Sequence, residues 1–420
     1  MGSQTTGFPD EQTVRREVRT WLEAHWDPER KLSEWRSMLA DTGWGCPEWP
    51  KAWFGLDYPS SLANAVADEI SQFGALGVAR SGVRMLAAAT LLEHGNDAQK
   101  TQFLRGILTG KDTWCQLFSE PGSGSDLAGL TTRADKQADH WLINGQKVWT
   151  TSAHHANYGM LLARTDWDVP KHRGLTYFVI DMEQAGVEVR PLKQMNGYAS
   201  FNEVFFTDAI VPTERLVGKV DSGWSVALTT LANERRVADG VRAWGSVQNG
   251  EGAIFAELAA EMKTVNEPYR WYPQRAGRPD LVVSQARASG GDRDPVIRQA
   301  IAELLMLEKA SQWTARRVRE AHKLGRPQGP EGSLGKLAAS HVARAAAHAH
   351  TMIAGGQSLL AGEDGPLDGL IAEILLSVPA ISIAGGTDEI QHNIIAERVL
   401  GMPKEPRADA DLPFRDIPRN

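Results

Sequence analysis

The spacing of apolar positions divides the chain into a helical part, an extended part and a second helical part. Residues 10–112 carry apolar side chains at helical spacing, as in DEQTVRREVRTWLEAHW and ARSGVRMLAAATLLEHG. The stretch NDAQKTQFLRGILTG predicts one complete helix, because Asn96 is a suitable N-cap and Gly110 a suitable end. The tryptophans concentrated in this part predict packing between its helices.

Between residues 114 and 216 the apolar pattern changes to a period of two, which is typical of β-strands. The segments YGMLLART, LTYFVIDM, VEVRPL and FNEVFFT predict strands, separated by Asp, Gly and Pro. The segment HWLINGQKVWTTSA predicts two short strands joined by a hairpin turn at Asn144-Gly145. This region therefore predicts an all-β middle domain.

From about residue 221 the helical pattern returns. Residues 223–262 are compatible with one long helix, whereas residues 264–293 predict a loop or flexible insertion because Pro, Gly and polar residues interrupt the pattern. Helices resume at residue 294 and end with one over Thr387–Leu400. The proline-rich, charged residues 403–420 predict irregular structure.

The fold class predicted is α+β with several domains. We expect an N-terminal helical domain, a middle β-barrel or sandwich domain, a C-terminal four-helix bundle and an irregular tail. The expected boundaries are 1–113, 114–216, 217–405 and 406–420.

Composition narrows the class of protein. The 420 residues carry a net charge of −7. The chain therefore lacks the excess of basic residues that would suggest binding to nucleic acid or to an anionic membrane. The chain has no run of 18 apolar residues, so no membrane-spanning helix is predicted. The two cysteines, Cys46 and Cys115, form neither a metal-binding spacing nor a disulfide framework, so a reduced cytoplasmic protein without a metal site is expected.

The segment QLFSEPGSGSDLAGL, residues 116–130, joins the first helical part to the β part. Its centre, Pro121 to Gly124, is unsuited to regular structure. Backbone N–H groups there, with the hydroxyls of Ser123 and Ser125, are suited to an anion or a flavin. A flexible turn is the alternative interpretation.

The segment KVWTTSA, residues 147–153, places Trp149, Thr150 and Thr151 on a strand. An aromatic ring beside hydroxyls can stack on a planar cofactor and hydrogen-bond its edge. The alternative is a strand whose alternate side chains fill the core.

The segment ANERRVADG places Asn233, Glu234, Arg235 and Arg236 together on the helix after the β part. A solvated run of charges is one interpretation. Gly240 nearby indicates another, because glycine inside a helix costs about 1 kcal/mol relative to alanine and suggests close approach by a ligand or helix.

The segment GGTDEIQHNI, from residue 385, has the pattern of a helix start that touches a ligand. Thr387 is a suitable N-cap, and Asp388 and Glu389 lie in the first turn, where the helix dipole favours acids. Gly385 and Gly386 allow the backbone to approach another group closely.

Together these motifs resemble those of the acyl-CoA dehydrogenase family. SEPGSGSD resembles its flavin and acyl-CoA loop, KVWTTSA its flavin strand, and GGTDEIQHNIIAERVLG its closing helix, in family order and spacing. With the order of domains, the resemblance extends over about residues 10–405.

The resemblance implies an FAD enzyme that assembles as a homodimer, a homotetramer or a heterotetramer. It implies an acyl-CoA substrate, from which a carboxylate removes the α proton while the β hydrogen passes as hydride to flavin N5. Electrons would then pass to an electron-transfer flavoprotein.

The resemblance also assigns residues by position. Those bordering the flavin would be Gln116, Phe118, Ser119, Gly124, Ser125, Trp149, Thr150, Thr151, Thr387 and Glu389. Those along the acyl-CoA would be Ser125, Asn233, Arg235 and Gly386.

The resemblance places the catalytic base on the helix after the β part. Many family members carry their catalytic Glu at the position of Gly385, and a glycine cannot remove a proton. Other members hold the base in a Glu-Arg pair that matches Glu234 and Arg235. We therefore expect Glu234 to be the base, with the backbone N–H of Gly385 polarising the thioester carbonyl. The missing side chain at Gly385 would suit a branched or cyclic acyl group.

Two departures from the family pattern leave alternatives open. The Arg-x-x-Phe-Gly segment that reaches a neighbouring subunit's flavin has no clear match, and Met352 replaces an expected Gln. One alternative is a non-catalytic or half-site partner subunit of a heteromeric dehydrogenase. The other is a relative that passes electrons directly to O₂, as an oxidase or monooxygenase.

Overall fold

The N-terminal part of the protein is a group of five helices. The computed structural model describes residues 7–80, 82–240, 249–324, 326, 329–406 and 409–418, without the side chains of 235–240 and 322–323. The helices are α1 (Glu11–His25), α2 (Leu32–Thr42), α3 (Ser60–Phe73), α4 (Gly82–His94) and α5 (Asp97–Thr109).

Tryptophans fill the space between the first helices, as their clustering predicted. Trp35 is fully buried, and its ring centroid lies 5.3 Å from that of Trp21 and 4.8 Å from that of Trp26. Its indole N–H donates to the Leu76 carbonyl at 2.7 Å, so the polar atom of this buried ring is satisfied.

The predicted ends of α5 are confirmed. The Asn96 side chain accepts from the Gln99 N–H at 2.9 Å, while the Gln99 side chain accepts from the Asn96 N–H, which is a capping box. Gly110 ends the helix with φ of +82°, a conformation that favours glycine.

The middle part is one eight-stranded sheet, so the predicted β domain is confirmed. The strands are β1 (Trp114–Leu117), β2 (Arg133–Lys136), β3 (His140–Thr151), β4 (Tyr158–Arg164), β5 (Leu175–Asp181), β6 (Val187–Leu192), β7 (Phe201–Pro212) and β8 (Leu216–Val217). They follow the order β6-β7-β3-β2-β4-β5-β8 in the sheet, and β1 pairs in parallel with β4.

The hairpin predicted at Asn144-Gly145 is wrong, because β3 runs through both residues as a single strand. It pairs with β7 from one end to the other, with a register shift between Ile143 and Gly145. A Cβ atom at Gly145 would lie 2.6 Å from Thr132 Oγ1 on the segment that leads into β2. The glycine therefore allows a close approach of backbones at a bulge rather than a chain reversal.

The C-terminal part is helical, as predicted. Its helices are α6 (Gly223–Gly240), α7 (Ala253–Asn266), α8 (Tyr272–Arg275), α9 (Pro279–Ser289), α10 (Pro295–Lys323), α11 (Glu331–Ala354), α12 (Leu370–Ser377) and α13 (Asp388–Arg398). A single helix over 223–262 is wrong, because residues 249–252 are non-helical and Gly252, at φ of +119°, lies against the Pro28 carbonyl.

The loop predicted over residues 264–293 is also wrong. The end of α7, a short turn over Glu267–Tyr269, and helices α8 and α9 occupy most of this region. Its prolines stand in the first turns of these helices, and Gly290 ends α9 at φ of +75°. Pro and Gly here mark helix starts and stops rather than a loop.

Helix α11 connects the parts of the C-terminal domain, since it packs against α6, α10 and α13. Residues 409–418 are irregular, as predicted, apart from one turn over Phe414–Asp416. Within the described residues, no helix has both the length and the apolar character needed to cross a membrane.

Candidate active site

The carboxylate of Glu234 meets the amide of Gln116 where α6 packs against the sheet. Gln116 Nε2 donates to Glu234 Oε2 at 3.3 Å, and both side chains are half-buried. This distance is slightly longer than the usual range of about 2.7–3.2 Å, so the hydrogen bond is weak. The structure therefore brings together two of the site residues predicted from sequence.

Two tyrosines from the region predicted as a loop interact electrostatically with Glu234. The ring centroids of Tyr269 and Tyr272 are 4.9 Å apart. Burial raises the pKa of both phenols, and the negative charge of Glu234 raises both further. The two phenols therefore interact electrostatically with the carboxylate of Glu234.

Sequence reasoning missed these tyrosines because it treated their segment as flexible. The signal was present in the letters EPYRWYP, since Tyr269, Trp271 and Tyr272 give three aromatics within four residues. Flexible segments are poor in aromatic residues. Trp271 is only 2% exposed and packs against Phe201 of β7, with 6.1 Å between ring centroids.

The two motifs of the β domain lie side by side. The Val148 N–H donates to the Ser119 carbonyl at 2.9 Å, and Lys147 Nζ donates to the Phe118 carbonyl at 2.9 Å. The chain from Gln116 to Ser119 therefore runs beside the KVWTTSA segment, so the two motifs can contribute to one surface. Phe118 itself is buried, with its ring 5.9 Å from that of Tyr177.

Glu120 and Lys147 form a buried ion pair beneath this surface. Lys147 Nζ lies 2.9 Å from Glu120 Oε1, and the carboxylate also accepts from the N–H groups of Thr131 and Thr132. Burial alone would raise the pKa of Glu120, but Lys147 and these hydrogen bonds lower it to about 2. The ion pair thus ties the start of the SEPGSGSD loop to β3.

Trp149 presents its ring to solvent from a strained backbone. It is 55% exposed and has φ of +61°, within the register shift between Lys147 and Thr150. A bulge of this kind redirects a side chain, and a non-glycine residue at positive φ is a common sign of a functional position. Thr150 is buried in the strand and Thr151 half-buried.

The tip of the SEPGSGSD loop exposes its backbone. Gly124 and Ser125 are exposed, and a Cβ atom at Gly124 would meet no atom within 4 Å. The loop is held from inside, since the Ser123 hydroxyl donates to the Asp126 carbonyl at 2.5 Å. A ligand bearing phosphates can therefore approach the N–H groups of this tip.

The predicted residues at the start of α13 form a second group. Gly385 and Gly386 have φ of +69° and +87°, and the Thr387 side chain accepts from the Ile390 N–H at 3.3 Å. The predicted cap is therefore confirmed. Glu389 is exposed, and α13 is linked to the helix of Glu234 through α11.

The remaining predicted substrate residues lie on α6. Asn233 is half-buried, and its side-chain amide donates to the Thr229 carbonyl one turn earlier at 2.9 Å. The Arg235 side chain lies outside the part of the chain that the structure describes. Among the described residues, His, Cys, Asp and Glu form no group of three or more suited to a metal ion.

These features fit an isoalloxazine ring and a pyrophosphate. Trp149 offers an aromatic face, Gln116 an amide that can donate or accept, and the tip at Gly124 and Ser125 an accessible backbone. FAD carries both a planar ring and a pyrophosphate.

Comparison with known proteins identifies the family. The chain matches three family models, which are the N-terminal domain of acyl-CoA dehydrogenase over residues 9–111, its middle domain over 115–209 and its C-terminal domain over 283–400. The protein belongs to the acyl-CoA dehydrogenase family, whose members are FAD-dependent oxidoreductases acting on acyl-CoA thioesters.

Relatives and solved structures agree with this assignment. The chain is 32% identical over 377 residues to acyl-CoA dehydrogenase IpdE1 of Mycobacterium tuberculosis, covering 88% of each protein. It is 35% identical over 371 residues to acyl-CoA dehydrogenase FadE34 of the same organism, covering 87% of this chain but only 46% of FadE34.

Two solved structures share the fold. The "Tcur3481-Tcur3483 steroid ACAD" has a TM-score of 0.64 at 24% identity, with 94% of this chain and 98% of that one covered. The ChsE4-ChsE5 complex from Mycobacterium tuberculosis has a TM-score of 0.62 at 22% identity, with 96% and 100% covered. The predicted fold class is confirmed.

Proposed function

We propose that this protein is an FAD-dependent acyl-CoA dehydrogenase that forms a 2-enoyl-CoA, with Glu234 as the base that removes the α proton. The observation that carries the proposal is the contact of Glu234 with Gln116. This contact supports the proposal because it joins the carboxylate of α6 to β1, the strand that leads into the SEPGSGSD loop. FAD, when bound, would accept the hydride from the β carbon.

The surroundings of Glu234 support its role. Tyr269 and Tyr272, whose pKa values are raised chiefly by burial, remain neutral near pH 7. They therefore bring no charge of their own to the surroundings of the carboxylate. The Gln116 amide donates to the carboxylate and so helps to orient it for removal of the α proton.

The glycine pair before α13 supplies backbone donors instead of a carboxylate. A Cβ atom at Gly385 would meet nothing within 4 Å, so space is available beside its N–H. We assign to this N–H the polarisation of the thioester carbonyl, with Gly386 and Asn233 along the substrate. The open space supports a branched or cyclic acyl group, and the similarity to a protein titled as a steroid dehydrogenase points in the same direction.

An electron-transfer flavoprotein is the proposed electron acceptor, and an assembly of two or four chains the proposed state. A heteromer with a second, related chain is the second candidate. It is supported by the absence of a carboxylate at Gly385 and by the paired names of two structural neighbours.

The test is anaerobic bleaching of the visible flavin band by a panel of short, long, branched and steroid-like acyl-CoAs. Wild type should bleach with at least one thioester, whereas Glu234→Gln should retain flavin and lose bleaching by roughly a thousandfold or more. Glu23→Gln, an exposed glutamate on α1, is the matched control and should behave as wild type.

Each other outcome contradicts a specific part of the proposal. Equal bleaching by Glu234→Gln would exclude Glu234 as the base. A purified chain without flavin would favour the heteromer, which co-expression with a related chain would then test. Rapid peroxide formation in air without an added acceptor would favour the O₂-using alternative.

A further inference from the structure

A described segment near the C-terminus packs against the β domain behind the SEPGSGSD loop. We refer to residues 409–418 as the C-terminal strap. Its Phe414 is only 4% exposed, and the Phe414 N–H donates to the Val169 carbonyl at 2.9 Å. The next N–H, of Arg415, donates to the Trp167 carbonyl at 3.0 Å. The irregular tail is thus held on the β domain by two backbone hydrogen bonds and one buried side chain.

The strap contacts a buried arginine that holds the loop. Arg164, at the end of β4, is fully buried, and its guanidinium carbon lies 3.4 Å from the centre of the Phe414 ring. The same guanidinium donates to the Ala128 carbonyl at 2.6 Å and to the Leu130 carbonyl at 3.1 Å. Phe414 therefore covers the group that fixes the segment directly after the loop.

A second connection passes through a lysine. Lys171 Nζ lies 2.9 Å from the Asp126 carboxylate in the loop and 3.2 Å from the Asp409 carboxylate in the strap. Burial opposes the charge of Lys171, but the two carboxylates outweigh it and raise its pKa. The strap and the loop thus share one ammonium group.

We propose that the C-terminal strap is a positioning element for the SEPGSGSD loop, and through it for a pyrophosphate-bearing ligand. Arg164 transmits the contact through the backbone carbonyls that follow the loop. Lys171 transmits it through Asp126. The ligand part of this inference rests on the proposed function, whereas the effect on the loop does not.

The contacts explain why such an element is needed. The exposed tip at Gly124 and Ser125 has few packing contacts of its own, so its position depends on the anchors at either end. Glu120 anchors the start through Lys147, and Arg164 with Lys171 anchors the end. A loop fixed before binding loses less conformational entropy when it closes on a ligand.

The primary test is hydrogen exchange, followed by mass spectrometry, in peptides over residues 120–132. Phe414→Ala in the full-length protein should raise exchange there by roughly tenfold, the effect of losing a buried cation–π contact. Phe414→Tyr should restore protection because it keeps the ring. Phe8→Ala, an aromatic residue near the other end of the chain, is the matched control.

Ligand binding supplies the second readout. If the loop holds CoA, Phe414→Ala and Lys171→Met should raise KM for an acyl-CoA roughly tenfold while kcat changes less than about twofold. KM for the matching acyl-pantetheine should then not change. If the loop holds the flavin pyrophosphate, the dissociation constant for FAD should rise instead.

Unchanged exchange in residues 120–132 with unchanged KM and FAD affinity would overturn the proposal. So would an equal rise in exchange throughout the β domain, which would show general destabilisation. If wild type binds no FAD and oxidises no thioester, the proposed function fails, but the exchange data still decide whether the strap positions the loop.

Discussion

Lys147 Nζ and Glu120 Oε1 lie 2.9 Å apart, on side chains that are 0% and 6% exposed. This ion pair joins the SEPGSGSD loop to the strand that carries Trp149. Two charges buried together need good geometry and additional hydrogen bonds, and both are present here. The pair is therefore the structural connection between the two motifs of the β domain.

Removing one partner of this pair should destabilise the protein strongly. Lys147→Met leaves a buried carboxylate without its countercharge, so the free energy of unfolding should fall by about 3–5 kcal/mol. Adding Glu120→Gln should recover part of this loss because no buried charge remains. Denaturant unfolding measures both effects, with the exposed Lys219→Met as control. A loss below about 1 kcal/mol in Lys147→Met would show that the pair contributes little.

The same carboxylate should make stability depend on pH. The pKa of Glu120 is about 2 in the folded protein, against an ordinary value of 4.5. Its folded-state pKa is depressed, so its contribution is present above pH 4.5 and is lost as pH falls towards 2. That contribution is on the order of 3 kcal/mol. The difference in unfolding free energy between wild type and Glu120→Gln should therefore shrink over this range, and a constant difference would contradict the assignment.

Much of the fold could be predicted because local signals agreed with tertiary contacts. Helix α5 has its cap at Asn96 and its end at Gly110 because the capping side chains act within a few residues. The hairpin at Asn144-Gly145 failed for the opposite reason. Pairing of β3 with β7 over its whole length outweighs the turn preference of two residues.

The site was less predictable because part of it comes from distant segments. The family resemblance identified Glu234 and Gln116, whose contact spans 118 positions of sequence. Nothing local links Tyr269 to either residue, since its position depends on how the helices after α7 pack. The role of Phe414 beside Arg164 is likewise set by a contact across most of the chain.

Trp149 should matter for flavin binding more than for folding. Its φ of +61° strains the backbone by about 1 kcal/mol, and its ring is mostly exposed. Trp149→Gly should therefore change the unfolding free energy of the FAD-free protein by less than about 1 kcal/mol while weakening FAD binding by roughly tenfold or more. Titration with FAD followed by flavin fluorescence measures the affinity. Trp149→Phe should retain most of it, and equal losses in both variants would argue against stacking.

The two glycines before α13 should differ in their tolerance of a side chain. Gly385→Ala meets only the strain of φ at +69°, so it should cost about 1 kcal/mol. Gly386→Ala should cost more, because its Cβ would lie 2.6 Å from Gln391 Nε2, which donates to both glycine carbonyls. Thermal unfolding of the two variants gives the comparison. Equal melting temperatures would show that Gln391 moves aside freely.

The amide of Gln116 should influence the protonation of the proposed base. A hydrogen bond donated to a carboxylate favours its ionised form, so losing it makes ionisation harder. In Gln116→Leu, the acid limb of the pH profile of kcat/KM should therefore move to higher pH, and kcat/KM at neutral pH should fall roughly tenfold. Gln137→Leu, an exposed glutamine in the turn between β2 and β3, is the matched control. A fall in kcat/KM with an unmoved acid limb would show that Gln116 acts on flavin or substrate rather than on Glu234.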